Sequence, residues 1–122
     1  IDYKVIDDRP IVFTNFGQIN TEKSVFEWIK ECENLGAGEI FLNSIDRDGK
    51  AGGYDVETIG KAVADTKLPI IACGGAGSPD DFIDLAKKTN VSAIAAGNIF
   101  HFTELSYPRA KFLLKKEGLN FR

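Results

Sequence analysis

The stretch from Gly36 to Asp55, GAGEIFLNSIDRDGKAGGYD, indicates a buried strand that ends in a polar, glycine-rich loop. Residues 39–45 form the expected strand, and they are apolar enough to be buried on both faces, as parallel strands are. Asp46, Arg47 and Asp48 follow, and their charges would be costly in a core. Parallel α/β proteins place such residues in the loops outside the carboxyl ends of their strands, where their chemistry takes place. A solvated turn with local ion pairs is the alternative interpretation.

The rest of the chain repeats this pattern of a strand, a loop and a helix. Apolar runs predict four strands, at residues 1–6, 39–45, 70–73 and 91–96. Helical spacing and capping residues predict helices at about residues 21–35, 55–65, from 79 onward and 106–117. An extended piece at residues 11–14 enlarges the first loop, and residues 17–21 are expected to be loop. Units of about 30 residues in this order are typical of a parallel sheet with βα crossovers.

The composition is that of one small globular domain. A chain of 122 residues, 43% of them apolar, can build one core. A net charge of −3 without a basic run gives no support for nucleic-acid binding. The apolar runs are too short to span a bilayer, and no signal-peptide pattern is present. Cys32 and Cys73 lack metal-type spacing, so we expect free thiols in a reducing cytoplasm. We expect neither a metal nor another cofactor.

The first residues carry two further expectations. The chain starts with Ile1 and Asp2, inside an expected strand, and contains no methionine, so we expect a fragment of a longer polypeptide. Asp2 stands between apolar and aromatic neighbours. This setting suits either a catalytic carboxylate or a polar residue of an edge strand, and the residues alone leave both open.

Two glycine segments that end strands are candidates for phosphate binding. Gly74-Gly75-Ala76-Gly77 lies between a strand and a helix that begins at Ser78-Pro79, and Gly97-Asn98 follows the last strand. Glycine lets backbone N–H groups approach an anion, and a helix N-terminus adds its positive end. The alternative is that tight strand–helix turns simply need glycine. The single histidine, His101, is more typical of a structural hydrogen bond than of a catalyst.

Three segments carry a resemblance to a known family: residues 36–55, LPIIACGGAGSPDDF at 68–82, and SAIAAGNIFHFTE at 92–104. Together with the opening residues IDYK, they resemble the C-terminal half of the cyclase subunit of imidazole glycerol phosphate synthase. The resemblance covers essentially the whole chain, and the SIDRDG and GGAG blocks at this spacing are highly specific. The sister family, the phosphoribosylformimino isomerase, fits the IFHF segment less well.

The resemblance implies a fold and an activity. The family forms a parallel (βα)₈ TIM barrel of about 250 residues, of which residues 1–122 would be strands five to eight, the C-terminal half of a single domain. Family members take ammonia from a glutaminase partner. With it they convert a phosphorylated substrate, phosphoribulosyl formimino carboxamide ribotide, into imidazole glycerol phosphate and aminoimidazole carboxamide ribotide, a step of histidine biosynthesis.

The same resemblance implies which residues act. Asp2 matches one of two catalytic aspartates, a general acid and base, and the second would come from the first strand of the other half. Asp48 matches a further active-site acid. Glu39 matches a charged residue at the opposite barrel mouth, part of the gate through which ammonia enters. The positions that match the substrate and phosphate site are Asn43, Cys73, Gly74, Gly75, Gly97 and Asn98.

Three of these positions depart from the family pattern. Asn43 replaces a threonine, and Cys73 and Asn98 replace serines, although backbone amides could still hold a phosphate. The chain also resembles a cyclase-like paralogue that accompanies sugar amidotransferases in surface-polysaccharide biosynthesis, where it looks like an ammonia-delivery partner. A further alternative is a non-catalytic half-barrel assembly module. A half barrel has two open strand edges, so it would need an N-terminal half barrel or a second copy of itself.

Overall fold

A computed structural model of the chain describes residues 1–102 and 107–119. In chain order, the elements are β1 (Asp2–Ile6), β2 (Arg9–Thr14), β3 (Ile19–Ser24), α1 (Val25–Asn34), β4 (Ile40–Ser44), α2 (Val56–Asp65), β5 (Ile70–Cys73), α3 (Pro79–Lys88), β6 (Ala93–Ile94), α4 (Ile99–Phe102) and α5 (Tyr107–Lys116).

The described residues form one six-stranded sheet in the order β3-β2-β1-β4-β5-β6. Strands β1, β4, β5 and β6 run parallel, and α2 and α3 are the crossovers between β4, β5 and β6. This confirms the prediction of a parallel sheet built from βα units. Strands β2 and β3 extend the sheet beyond β1 as an antiparallel hairpin.

The segment between β1 and α1 differs from the prediction. Residues 19–24, expected to be loop and then helix, form β3, and α1 begins only at Val25. The reason is a capping box at Ser24. Its hydroxyl accepts a hydrogen bond from the Phe26 N–H at 3.2 Å, and the Glu27 carboxylate accepts one from the Ser24 N–H at 3.0 Å. This pair of bonds fixes the first turn of the helix at that residue.

The other boundaries follow the prediction more closely. Asp55 caps α2, and Ser78 precedes α3 with Pro79 at the first turn, as the sequence predicts. The last strand was predicted too long, since only Ala93–Ile94 pairs with β5. The start expected for the last helix, at Ser106, lies outside the described residues.

The two faces of the central strands differ in exposure. Ile40, Leu42 and Ser44 of β4 are buried, whereas Phe41 between them is 46% exposed. The buried side chains join a core with residues from the helices, among them Val25, Ile29, Ile59, Ala62, Phe82 and Leu85. One face of the sheet therefore packs on the helices, and the other face remains partly open. None of the helices within the described ranges is long and apolar enough to cross a membrane.

Two buried tyrosines join the strands to the loops around them. The Tyr3 hydroxyl donates a hydrogen bond to Asp55 Oδ2 at 3.1 Å, and the Tyr54 hydroxyl donates one to the Ala95 carbonyl at 2.8 Å. Burial raises the pKa of both hydroxyls above the ordinary 10.0, and the nearby Asp55 carboxylate adds to the rise in the pKa of Tyr3. Both groups are thus held in the neutral form.

The raised tyrosine pKa values predict a loss of stability at alkaline pH. Below pH 10 both hydroxyls are protonated in the folded and unfolded states, so their full contribution is present. Above that pH the unfolded chain loses its protons first, and the unfolding free energy should fall by up to about 1.4 kcal/mol per pH unit for each tyrosine. Urea titrations between pH 9 and 11 measure this slope.

Tyr3→Phe tests this assignment. It removes one of the two buried hydroxyls, so it should flatten the alkaline slope relative to the wild type. Equal slopes in the wild type and Tyr3→Phe would contradict the assignment.

Candidate functional site

Strand register places three of the predicted site residues side by side. Asp2 of β1 pairs with Asn43 of β4, and Asn43 pairs with Cys73 of β5. Paired residues of neighbouring strands project from the same face, about 5 Å apart. All three side chains are half-buried. They form a row across the partly open face of the sheet, at the carboxyl ends of β4 and β5.

Asp2 and Asn43 are in direct contact. The Asn43 Nδ2 amide donates a hydrogen bond to Asp2 Oδ1 at 3.0 Å. The amide oxygen of the same side chain, Asn43 Oδ1, is buried without a hydrogen-bond partner among the described residues. Such an unsatisfied buried acceptor is uncommon and calls for an explanation.

The two carboxylates of the loop after β4 have different surroundings. Asp46 accepts hydrogen bonds from the Ser44 hydroxyl at 2.8 Å and from the Val5 N–H at 3.1 Å, so its charge joins the end of β4 to β1. Asp48 instead lies close enough to Cys73 to act on its thiol. Burial raises the pKa of the Cys73 thiol, and the charges of Asp48 and then Asp2 raise it further. The thiol is therefore a neutral group beside two carboxylates, and a poor nucleophile.

The glycines after β5 are required by close packing. Gly74 and Gly75 have φ angles of +95° and +109°, in the region that favours glycine. A Cβ on Gly74 would lie 2.5 Å from the Ser44 carbonyl oxygen, and one on Gly75 would lie 2.2 Å from the Gly53 carbonyl oxygen. The Gly53 N–H donates a hydrogen bond to the Gly75 carbonyl at 2.8 Å. This agrees with the alternative interpretation of these glycines, while their phosphate contact stays a prediction.

The N-terminus of α3 already holds a carboxylate of this chain. Asp81 Oδ2 accepts hydrogen bonds from the N–H groups of Gly77 at 2.8 Å and Ser78 at 2.7 Å. These two donors are therefore occupied by a carboxylate of the chain itself. The Ser-x-x-Asp capping pattern at residues 78–81 was the sequence signal for this arrangement.

Gly97 and Asn98 lie beside the loop after β4. Both are exposed and precede α4. A Cβ built on Gly49 would lie 3.1 Å from Asn98 Nδ2, so the loops after β4 and β6 are in contact. A Cβ on Gly97 would meet nothing within 4 Å, which leaves open space around its backbone. The loops after β4, β5 and β6 thus converge at one edge of the sheet.

Glu39 and His101, which the sequence analysis also discussed, do not belong to the row of Asp2, Asn43 and Cys73. Glu39 is exposed and precedes β4, at the opposite end of the strand from Asn43. His101 is exposed in α4, where its N–H donates a hydrogen bond to the Asn98 carbonyl at 2.9 Å.

Comparison with known proteins agrees with this architecture. A family model described as "Histidine biosynthesis protein" matches residues 1–106. Imidazole glycerol phosphate synthase subunit HisF from a Hydrogenobaculum species is 45% identical over 100% of this chain and 49% of its own length. The same subunit from a Thermotoga species is 45% identical over 100% of this chain and 48% of its own length, and that of Natranaerobius thermophilus is 39% identical over 100% and 49%.

The chain spans about half the length of the curated relatives it matches. Together with the parallel sheet, this coverage confirms the predicted fold class, the C-terminal half of a (βα)₈ barrel. It also confirms the resemblance to the cyclase subunit of imidazole glycerol phosphate synthase. The chain belongs to the histidine biosynthesis protein family.

Proposed function

We propose that this chain is one half of a barrel domain in a longer protein, and that the whole protein is an ammonia-dependent cyclase of histidine biosynthesis. It converts phosphoribulosyl formimino carboxamide ribotide into imidazole glycerol phosphate and aminoimidazole carboxamide ribotide. The observation that carries the proposal is the row of Asp2, Asn43 and Cys73 at the carboxyl ends of β4 and β5. The names of the relatives supply the synthesis of imidazole glycerol phosphate, and the family resemblance supplies the other reactants and products.

The two carboxylates take the proton-transfer roles. Asp2 lies on the partly open face of the sheet and, as a general acid and base, takes up and returns protons during imine formation and ring closure. Asp48, beside Cys73, serves as a further acid on the other side of Asn43. The second catalytic aspartate comes from the other half of the barrel.

The phosphorylated end of the substrate lies against the loops after β5 and β6. Gly97 supports this role best, because the space around its backbone is open. Asn98 adds a polar side chain beside it, next to the loop that carries Asp48. Cys73, Gly74 and Gly75 form the adjoining wall.

Ammonia reaches this site from a glutaminase subunit docked at the opposite end of the barrel. Glu39 marks this end, because it is exposed and precedes β4, whose last residues carry the site. Glu39, Phe41 and Asn43 alternate onto one face of the strand, which leads from the proposed gate to the row. We place the complex in the cytoplasm, where Cys32 and Cys73 stay as free thiols.

A cyclisation assay on the full-length protein tests the proposal. The formimino ribotide is supplied with free ammonium at alkaline pH, and its loss of absorbance is followed; turnover is expected. With the glutaminase subunit and glutamine instead, Glu39→Gln should lose most of the glutamine-dependent rate and keep the ammonium-dependent rate. A folded, phosphate-binding protein without turnover in either arm would overturn the proposed activity.

A further inference from the structure

Asp46 continues the pairing of β1 with β4 beyond the last residue of β4. The Ile45 N–H donates a hydrogen bond to the Tyr3 carbonyl at 3.0 Å. In a parallel ladder the next bond would run from the Val5 N–H to the Ile45 carbonyl. In this chain the Val5 N–H donates instead to Asp46 Oδ2 at 3.1 Å. The carboxylate therefore takes the place of a backbone acceptor, and the main chain can turn away from β1 into the loop.

The turn that follows is closed on the neighbouring serine. The Ser44 hydroxyl donates to Asp46 Oδ1 at 2.8 Å, so both oxygens of this half-buried carboxylate accept a hydrogen bond. The Ser44 carbonyl accepts the N–H groups of Arg47 at 3.1 Å and Asp48 at 2.9 Å. A Cβ on Gly74 would lie 2.5 Å from the same carbonyl oxygen, so the loop after β5 packs closely on this turn. The Asp48 side chain is exposed, and the path of the turn therefore decides where its carboxylate lies.

We propose that Asp46 is a positioning residue: it ties the loop that carries Asp48 to the strand that carries Asp2, and so fixes the two acids of the proposed site relative to each other. This inference rests on the proposed function. Its basis is the pair of acceptor oxygens, one for a backbone donor of β1 and one for the last residue of β4. A side chain without acceptors would leave the turn free to move away from β1.

Steady-state kinetics of the full-length protein test this role. Asp46→Ala removes both acceptors and should lower the ammonium-dependent kcat about 100-fold, the loss expected for a catalytic group misplaced by about 1 Å, with KM within about twofold. Asp46→Asn keeps an acceptor for the Val5 N–H and an amide that can donate to the Ser44 hydroxyl, so its kcat should stay within about fivefold of the wild type. An Asp46→Asn variant as slow as Asp46→Ala would show that the charge matters and the bridge does not, and would overturn the inference.

Three further variants make the kinetic result specific. In an Asp48→Asn background, Asp46→Ala should cost less than about twofold more, and a repeated loss of about 100-fold overturns the inference. Ser44→Ala removes one of the two bonds and should lower kcat about fivefold, the effect of one hydrogen bond. It carries the test if Asp46→Ala does not fold, and wild-type kcat in Ser44→Ala would then contradict the role. Asp65→Ala, at an exposed carboxylate that ends α2, is the matched control and should keep wild-type kcat; a similar loss there would contradict the assignment.

The thiol of Cys73 reports where Asp48 lies, and it does so without turnover. Burial raises the pKa of this thiol, the charges of Asp48 and then Asp2 raise it further, and a hydrogen bond from the Gly74 N–H lowers it. Tyr54, whose hydroxyl is also near the thiol, stays neutral because burial raises its pKa. Withdrawal of the Asp48 carboxylate should therefore lower the pKa of the Cys73 thiol.

Site-resolved alkylation of the full-length protein, quantified by mass spectrometry between about pH 6 and pH 10, measures this change, with Cys32 on α1 as the internal reference. The midpoint for Cys73 should move to lower pH in Asp46→Ala and in Asp48→Asn, and stay in place in Asp65→Ala. A further shift on adding Asp46→Ala to Asp48→Asn would mean that Asp46 acts by its own charge, and would overturn the inference. An unmoved midpoint in Asp46→Ala overturns it even if the enzyme is active, whereas a shifted midpoint in a protein without turnover upholds the positioning of Asp48 while the proposed activity fails.

Discussion

The Asp2→Asn variant of the full-length protein is expected to lose ammonium-dependent cyclisation by a factor of about 100 to 10,000, the usual contribution of a general acid or base. Asparagine keeps the shape of the side chain but cannot take up and return a proton. Binding of a phosphorylated product analogue should remain within about twofold, because Asp2 lies in β1 and the phosphate loops follow β5 and β6. Steady-state kinetics and calorimetric titration of the analogue measure the two quantities.

Asp8→Asn is the matched control for this variant. Asp8 lies in the β1–β2 turn at a φ of 60°, is exposed, and asparagine adopts that conformation as readily. It should keep wild-type turnover. Undiminished turnover in Asp2→Asn, with Asp8→Asn also active, would remove Asp2 from the mechanism.

Replacing Gly75 with alanine should destabilise the protein by about 3 kcal/mol or more. The new Cβ would lie 2.2 Å from the Gly53 carbonyl oxygen, so one of the two loops would have to move. The φ of +109° adds backbone strain for any residue with a side chain. Overpacking and strain each cost about 1–3 kcal/mol. Urea denaturation of the full-length protein measures the change.

Gly97→Ala is its counterpart in the neighbouring loop. A Cβ there meets nothing within 4 Å, so stability should change by less than about 0.5 kcal/mol. The added methyl group would instead occupy the open space proposed for phosphate, and the affinity for inorganic phosphate should fall about tenfold. If Gly97→Ala bound phosphate like the wild type, the phosphate would have to lie elsewhere.

Local sequence signals predicted the parallel part of the fold. These signals are the apolar runs around residues 40–45 and 70–73 and the capping residues Asp55 and Ser78. Each of them acts on residues only a few positions away in the sequence. Such signals predict the folded structure well, because the residues that interact are close to each other in sequence. The hairpin strand β3 was missed for the opposite reason. Its residues INTEKS are mostly exposed and polar, and it exists through pairing with β2.

For the site as well, the sequence predicted which residues take part but not which of them lie next to each other. Resemblance named Asp2, Asn43 and Cys73, but only strand register shows that they are neighbours. A shift by one residue would have sent alternate side chains to the other face. The capping pattern of α3 predicted that Asp81 accepts hydrogen bonds from backbone N–H groups at the start of that helix. The close approach of Gly75 to Gly53 was not, since the two are 22 positions apart in sequence.

The contact between the loops after β4 and β5 also limits how this site can change over evolution. Gly53 and Gly75 touch backbone to backbone, so Gly75 cannot gain a side chain unless the loop after β4 recedes. A substitution at Gly75 therefore needs a matching change in the loop after β4, and by itself it passes through an unstable protein. A Cβ on Gly53 would instead lie 3.2 Å from the Asp81 carboxylate, at a φ of +86°. The loop at Gly97 has no such close contact, because a Cβ at Gly97 would meet nothing within 4 Å. Adaptation to a ligand of different shape therefore has its easiest route through the loop after β6.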